Sequence, residues 1–233
     1  MRAFGTDRPN IRRKSETFSC DRALTRRVMK RLAQELSLTG QPGAFAGSLM
    51  NSSADLVARA CRGDEEAFRL IFERYSRPVL SFIYDQVGDR ELAEELAQET
   101  FVRAYRNLRA LREETKLSTW LFGIAKNVTR EALRARSRHE RNVDLDDDLV
   151  ANLSDRGPVP VNQLLSKELN QVIQRSLSLL DDDQRLVFTL KIFQQHSYEE
   201  ISEITGFSVP KLKTDLHRAR REMRRRISPY VRV

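Results

Sequence analysis

Residues Ser197 to Met223 read SYEEISEITGFSVPKLKTDLHRARREM, two helical patterns with a break between them. Ser197 and Glu200 have the S-x-x-E spacing of a capping box, in which a hydroxyl and a carboxylate satisfy the first free amides of a helix. The helix they open is short and stops at Gly206, a residue type that enters left-handed backbone without a Cβ clash. Ser208 then caps a second, longer helix. A short helix, a glycine turn and a longer helix form the helix-turn-helix plan. In the second helix Leu212, Leu216, Ala219, Met223 and Ile227 make an apolar stripe. At about 100° per residue, the other side shows Pro210, Lys211, Lys213, Thr214, His217, Arg218 and Arg221, with Asp215 at its margin. A merely solvated helix carries mixed charges outward, whereas this face is basic. Lysine and arginine suit guanine edges and phosphates, and threonine suits either base, so the helix is expected in a DNA major groove.

The residues around this stretch extend the pattern. Arg224, Arg225 and Arg226 can add phosphate contacts, which position a protein on DNA without specifying sequence. His217 is expected in the groove, because no partner ligand lies one turn away to make it a metal site. His139 and His196 are expected to be exposed. Upstream, Leu165, Leu169, Val172, Ile173, Leu177 and Leu180 line one helix. Leu186, Val187, Leu190 and Phe193 line another between Asp181 and Gln194. Residues 161–233 therefore read as one helical domain. Before it, residues 140–160 (ERNVDLDDDLVANLSDRGPVP) lack periodicity and carry Gly157, Pro158 and Pro160, the marks of a flexible acidic linker. Asp144, Asp146, Asp147 and Asp148 could suggest a divalent cation, but no glycine-pinned calcium loop surrounds them. The linker reading is preferred, with no metal and no cofactor expected.

Residues 53–139 read as a first helical domain. A short helix breaks at Gly63, and Asp64 caps the next, which Pro78 is expected to kink and Gly88 to close. Asp89 caps the stretch DRELAEELAQETFVRAYRNL. Its Leu92, Leu96 and Phe101 can pack, leaving Asp89, Glu91, Glu94, Glu95, Gln98 and Glu99 outward. These acids suit the helix dipole near an N-terminus, or a docking face for a basic protein partner. After a charged loop at residues 109–116, Ser118 is expected to cap STWLFGIAKNVTREALRARSR. Leu117, Leu121, Ile124, Ala125, Val128 and Ala132 form its core stripe. Trp120, Gly123, Asn127, Arg130 and Arg134 share another side, flanked by Lys126 and Arg138. Trp120 alone reads as packing against a neighbour. The cation ladder beside it reads as a surface for unstacked bases and phosphates.

Bulk composition narrows the function classes. The chain has 233 residues, 40% apolar and 32% charged, with only 9 Gly and 7 Pro, which favours an all-α protein of two domains. The net charge of +8 suggests a polyanionic partner. It is unevenly spread: residues 1–50 hold ten Lys/Arg against four Asp/Glu, and Ser208–Val233 holds nine against two. By contrast Asp85–Glu99 holds six acids and one Arg. Such division predicts partners of both signs. Residues 1–52 read as a basic extension, partly disordered, with a short amphipathic helix carrying Leu24, Val28, Leu32 and Leu36. Cys20 and Cys61 lie far apart, which fits a reducing cytoplasm and gives no zinc site. The Arg-rich N-terminus lacks the apolar core of a secretory signal, and no run approaches a membrane span.

The stretches DRELAEELAQETFVRAYRNL and LSTWLFGIAKNVTREALRARSR resemble regions 2.2 to 2.4 of bacterial RNA polymerase sigma factors of the extracytoplasmic-function group. SYEEISEITGFSVPKLKTDLHRARREM resembles their region 4 helix-turn-helix. The resemblance runs from about Asp55 to Ile227, with both motifs in order. It implies a region 2 bundle and a region 4 domain joined by the acidic linker. It implies docking on core RNA polymerase through Asp89, Glu94, Glu95, Gln98, Glu99 and Phe101. Trp120, Lys126, Asn127, Arg130 and Arg134 would melt and hold the −10 element of promoter DNA, helped by the preceding loop. Lys211, Lys213, Thr214, His217, Arg218 and Arg221 would face the −35 element. The linker would thread toward the polymerase cleft. An anti-sigma factor, a stress-responsive role and a cytoplasmic location follow, with neither membrane insertion nor an obligate homo-oligomer. The chain departs from the family at Pro210-Lys211, where Gly-Thr is frequent, and at Asp215, where Arg is frequent. Those changes bear on the −35 sequence, since Pro fits a first helical turn.

Two other readings differ in what they require. A repressor or activator would need a dimer surface and a palindromic operator, and would leave the acidic helix and the Trp120 helix without a role. An enzyme with a DNA-binding tail would need a phosphate-cradling glycine loop, a G-x-S-x-G elbow or an H-E-x-x-H motif, and none is present.

Overall fold

The computed structural model describes residues 52–111, 116–142 and 161–231. The basic extension, the centre of the charged loop and nearly all of the acidic linker lie outside them. Every regular element among the described residues is a helix. Helix α1 (Ser53–Cys61) stops at Gly63, whose φ of 92° demands glycine-like freedom. Asp64 accepts the Ala67 amide at 3.1 Å and the Arg59 guanidinium at 2.9 Å, and so opens α2 (Glu65–Val87). Pro78 lies inside α2, which continues through it; burial of Ser76, Val79, Phe82 and Ile83 on either side holds the helix there. Gly88 ends α2 in the left-handed region, and Asp89 accepts the Leu92 amide to start α3 (Arg90–Asn107). A 3₁₀ turn, Leu108–Ala110, follows. Helix α4 (Leu117–Asn142) begins before Ser118, so that serine lies in the first turn and is not the N-cap expected from its sequence position.

The second half contains α5 (Val161–Ser178), α6 (Asp182–Phe188), α7 (Tyr198–Thr205) and α8 (Val209–Val231). The helix expected from Asp181 to Gln194 is in fact α6 followed by a π-turn, Thr189–Phe193. The capping box forms as its spacing requires. The Glu200 amide donates to the Ser197 hydroxyl at 3.1 Å, and the Ser197 amide donates to the Glu200 carboxylate at 2.7 Å.

Aromatic contacts tie the first half together. Phe72 meets Phe101 edge-on at 4.8 Å, Phe68 meets Tyr105 at 4.8 Å, and Phe82 meets Phe122 at 5.4 Å. They pin α3 and α4 to α2, each pair adding about 0.5–1.5 kcal/mol beyond burial. Leu177, Leu186, Leu190, Ile201, Leu212, Leu216 and Met223 fill the second half, and the buried apolar cluster runs through both halves. At the seam α4 packs on α7, and α2 packs on α5, α6 and the π-turn.

Polar bonds also cross the seam. The Gln86 amide donates to the Thr189 hydroxyl at 2.8 Å, and Arg185 donates to the Gln86 carbonyl at 2.8 Å. Gln174 donates to Asp85 Oδ1 at 2.7 Å, while Asp85 Oδ2 is buried without a partner. Burial pushes the Asp85 carboxyl up from 3.8 to about 6, with the Gln174 bond opposing the shift. A raised carboxyl contributes stability that is complete below its unfolded pKa and is lost as pH rises through its folded value. Asp85→Asn removes the buried charge but leaves one amide group unpaired. The variant is expected to exceed the native chain in stability by about 1–2 kcal/mol near pH 8, with the advantage gone near pH 4. Urea denaturation at the two pH values reads the difference. Equal curves at both would show that the carboxyl is solvated.

Candidate nucleic-acid interface

Helix α8 divides as its periodicity requires. Leu212, Leu216, Ala219 and Met223 are buried, while Lys213, Thr214, His217, Arg218 and Arg221 are exposed and line one shallow groove. The two expected residues nearest the helix start behave differently. Lys211 is half-buried, donates to Asp183 at 2.9 Å and to Asp215, and lies 4.1 Å from the centre of the Phe207 ring. The bonds to Asp215 and Asp183 raise its pKa. Asp215 is 8% exposed and so is not on the margin of the outer face. The structure therefore separates Lys211 from the five residues of the groove and uses it to fasten α8 to α6.

The expected single-strand surface on α4 is partly assembled. Trp120, Gly123, Lys126 and Asn127 line a cleft of about 530 Å³ together with Lys116 and Thr119. Trp120 is half-buried, packs against the core as its packing reading expects, and also lines the cleft. Asn127 is exposed. Burial, followed by the charge of Arg130, lowers the pKa of Lys126. An ammonium held this way gains from a phosphate that neutralises it. Arg130 and Arg134 are exposed farther along α4 and do not line the cleft.

The acidic surface lies on α3. Asp89, Glu91, Glu94, Glu95 and Gln98 are exposed. Arg90 pairs with Glu94 at 3.1 Å, and Arg103 joins Glu99 at 2.7 Å to Glu131 of α4 at 2.8 Å. Phe101 is the exception among the expected docking residues. It is 1% exposed, so it offers no surface to a partner and acts by holding α3 on α2.

Sequence reasoning missed the seam beside this cleft. Glu203 and Ile204 of α7 form one of its walls. His196, expected on the surface, is 5% exposed, and its ring meets Phe122 edge-on at 4.8 Å. Burial lowers its pKa against the opposing effect of Glu200. A histidine following a helical segment carries no local sign of such a partner. Among the described residues no cluster of His, Cys, Asp or Glu could hold a metal ion, and no helix is long and apolar enough to cross a membrane.

An acidic face and a cation-lined cleft lie on the first helical module, and a basic helix-turn-helix lies on the second. Family models agree with that division: Sigma-70 region 2 matches residues 71–139, and Sigma-70, region 4 matches residues 170–223. The ECF RNA polymerase sigma-E factor of Salmonella typhimurium is 32% identical over 182 residues, covering 76% of this chain and 95% of the relative. The protein of that name from Escherichia coli K12 is also 32% identical over the same shares, and that from Haemophilus influenzae is 31% identical. The chain belongs to the ECF RNA polymerase sigma factors. Its fold is shared with CnrH, solved in complex with the cytosolic domain of CnrY (TM-score 0.58, 21% identity, 76% of this chain and 97% of that one). It is also shared with the sigma factor RpoE of Bartonella quintana, solved with the anti-sigma factor NepR (TM-score 0.53, 23% identity, 69% and 96% covered).

Proposed function

We propose that this sigma factor divides its work among three surfaces. The exposed acids of α3 dock on core RNA polymerase. The α4 cleft, with Trp120, Lys126 and Asn127, holds an unstacked strand of the −10 element, and Arg130 and Arg134 follow the backbone. Lys213, Thr214, His217, Arg218 and Arg221 enter the major groove of the −35 element. Residues 53–139 would thus serve polymerase docking and melting, and residues 161–233 the upstream element, with 140–160 linking them. The observation that carries this reading is the outward cluster on α8 over a fully buried apolar stripe. The relatives solved with CnrY and with the anti-sigma factor NepR favour control of this chain by an anti-sigma factor.

Opening a promoter costs a few kcal/mol for each base taken from the stack. Two modest DNA modules and the polymerase dock together supply that energy, so each alone binds promoter DNA weakly. The test is transcription in vitro with purified core polymerase on genomic fragments, comparing the native chain with Arg218→Ala. The native chain is expected to redirect initiation to specific sites. The variant is expected to lose about 1–3 kcal/mol of discrimination at one −35 position. A uniform loss over all sequences would reduce Arg218 to a phosphate contact. Initiation unchanged by the native chain would end this reading.

A further inference from the structure

We propose that Asp183 and Asp215, which lie outside the α8 groove, set the stringency of −35 recognition by keeping Lys211 off the phosphates. The proposal rests on the α8 assignment above. Positions 211 and 215, where the chain departs from the family pattern, are the two that meet, one helical turn apart. The Lys211 ammonium donates to Asp215 Oδ2 and, at 2.9 Å, to Asp183 Oδ2 of α6. Its third contact is the Phe207 ring of the turn, with the ring centre 4.1 Å away. The turn is itself fixed: the Phe207 amide donates to the Thr205 hydroxyl at 3.1 Å, and the Phe207 carbonyl accepts from Ser202 at 2.7 Å. Lys211 thus joins α6, the turn and the start of α8 at one point. It stands apart from Lys213, Thr214, His217, Arg218 and Arg221, which line the groove.

The arrangement holds Lys211 in place when DNA arrives. Only 11% of the Asp215 side chain is exposed, and among the described residues Lys211 is its one cationic partner. A lysine that left for a phosphate would strand this carboxylate out of water, a large cost for a buried charge. A free lysine at the start of a groove helix would instead add a phosphate contact, which carries affinity but no sequence information. Two modest DNA modules select promoters only while that sequence-independent share stays small, because base contacts then decide which sites fill. Each added phosphate contact lets a poorer match reach the same occupancy. The two carboxylates therefore act on promoter choice without touching DNA, through the cation they withhold.

Asp183→Ala/Asp215→Leu in the full chain frees Lys211, and adding Lys211→Met removes the freed cation. Lys211→Met/Asp215→Leu removes the held cation at unchanged net charge and strands no carboxylate. Asp183 also lies 4.0 Å from Arg130, so the first pair is compared with Asp183 replaced in both and the second with Asp183 kept in both. Affinity for a random-sequence duplex is measured by anisotropy over salt from about 50 to 200 mM. Lys211→Met/Asp215→Leu is expected to match the native chain in the slope of log affinity against log salt. Asp183→Ala/Asp215→Leu is expected to be steeper than its Lys211→Met counterpart by about 0.9, a loss of affinity about 3.5-fold greater over that range. With core polymerase on genomic fragments, it is expected to initiate at sites that neither the native chain nor that counterpart uses. Should Asp215→Leu lower the melting temperature, Asp215→Asn takes its place with the same expectations. A slope shallower in Lys211→Met/Asp215→Leu than in the native chain overturns the withholding, since Lys211 would already reach phosphate. Equal slopes with and without the freed lysine, or an unchanged set of initiation sites, overturn the role in stringency. Arg218→Ala tests the α8 assignment separately: it is expected to make the native slope shallower by about 0.9, and an unchanged slope would remove α8 as the duplex-binding face whatever Lys211 does.

Discussion

Glu94→Lys/Glu95→Lys is expected to lower affinity for core RNA polymerase by at least about a hundredfold, because close charge pairs across an interface couple by about 1.5–7 kcal/mol. Both side chains are exposed on α3, and among the described residues the only ion pair formed by either is that of Glu94 with Arg90. The helix is held from its other side by Ala93, Leu96, Ala97 and Phe101, all buried. Thermal melting should therefore shift little while a pull-down with core polymerase fails. A double variant that still binds would remove α3 as the docking surface. High salt should weaken native binding in the same direction, since exposed charges are screened beyond about 10 Å at 0.1 M ionic strength.

Phe101→Ala is expected to destabilise the chain by about 3–5 kcal/mol, the cost of emptying a buried aromatic site. The ring is 1% exposed and meets Phe72 edge-on at 4.8 Å. Its loss would free α3 from α2, and polymerase binding would fall with the fraction folded. Phe101→Leu retains most of the volume and should restore both. Denaturant unfolding gives the stabilities, and the pull-down gives binding at a temperature where Phe101→Leu is fully folded. A Phe101→Leu variant that is stable but does not bind would show that the aromatic ring reaches the partner directly. Together with the charge reversal, these variants separate residues that touch the polymerase from residues that shape the touching surface.

The helix-turn-helix and most helix boundaries were legible because their causes are local. Asp64, Asp89 and the Ser197–Glu200 pair each satisfy amides within three residues of themselves. The apolar stripe of α8 is a property of spacing alone, and so is the basic face opposite it. The boundary at Ser118 was misplaced because a serine in the first turn looks like a cap in sequence. The π-turn at Thr189–Phe193 was hidden because its apolar positions also satisfy an α-helical period.

What the sequence by itself determined is therefore the inventory: two helical modules, their order, the acidic helix, and the residue types on each outward face. Tertiary structure alone decided which of those residues are free to act. Phe101 entered the core, Lys211 turned to Asp183 and Asp215, and His196 closed on Phe122. Periodicity reports which side of a helix is apolar, but not which distant helix will cover a polar residue. His196 and Phe122 meet across the chain, and Lys126 finds the Ile204 carbonyl 78 residues away. No local spacing encodes such pairs, because they arise only when the two helical halves pack on each other.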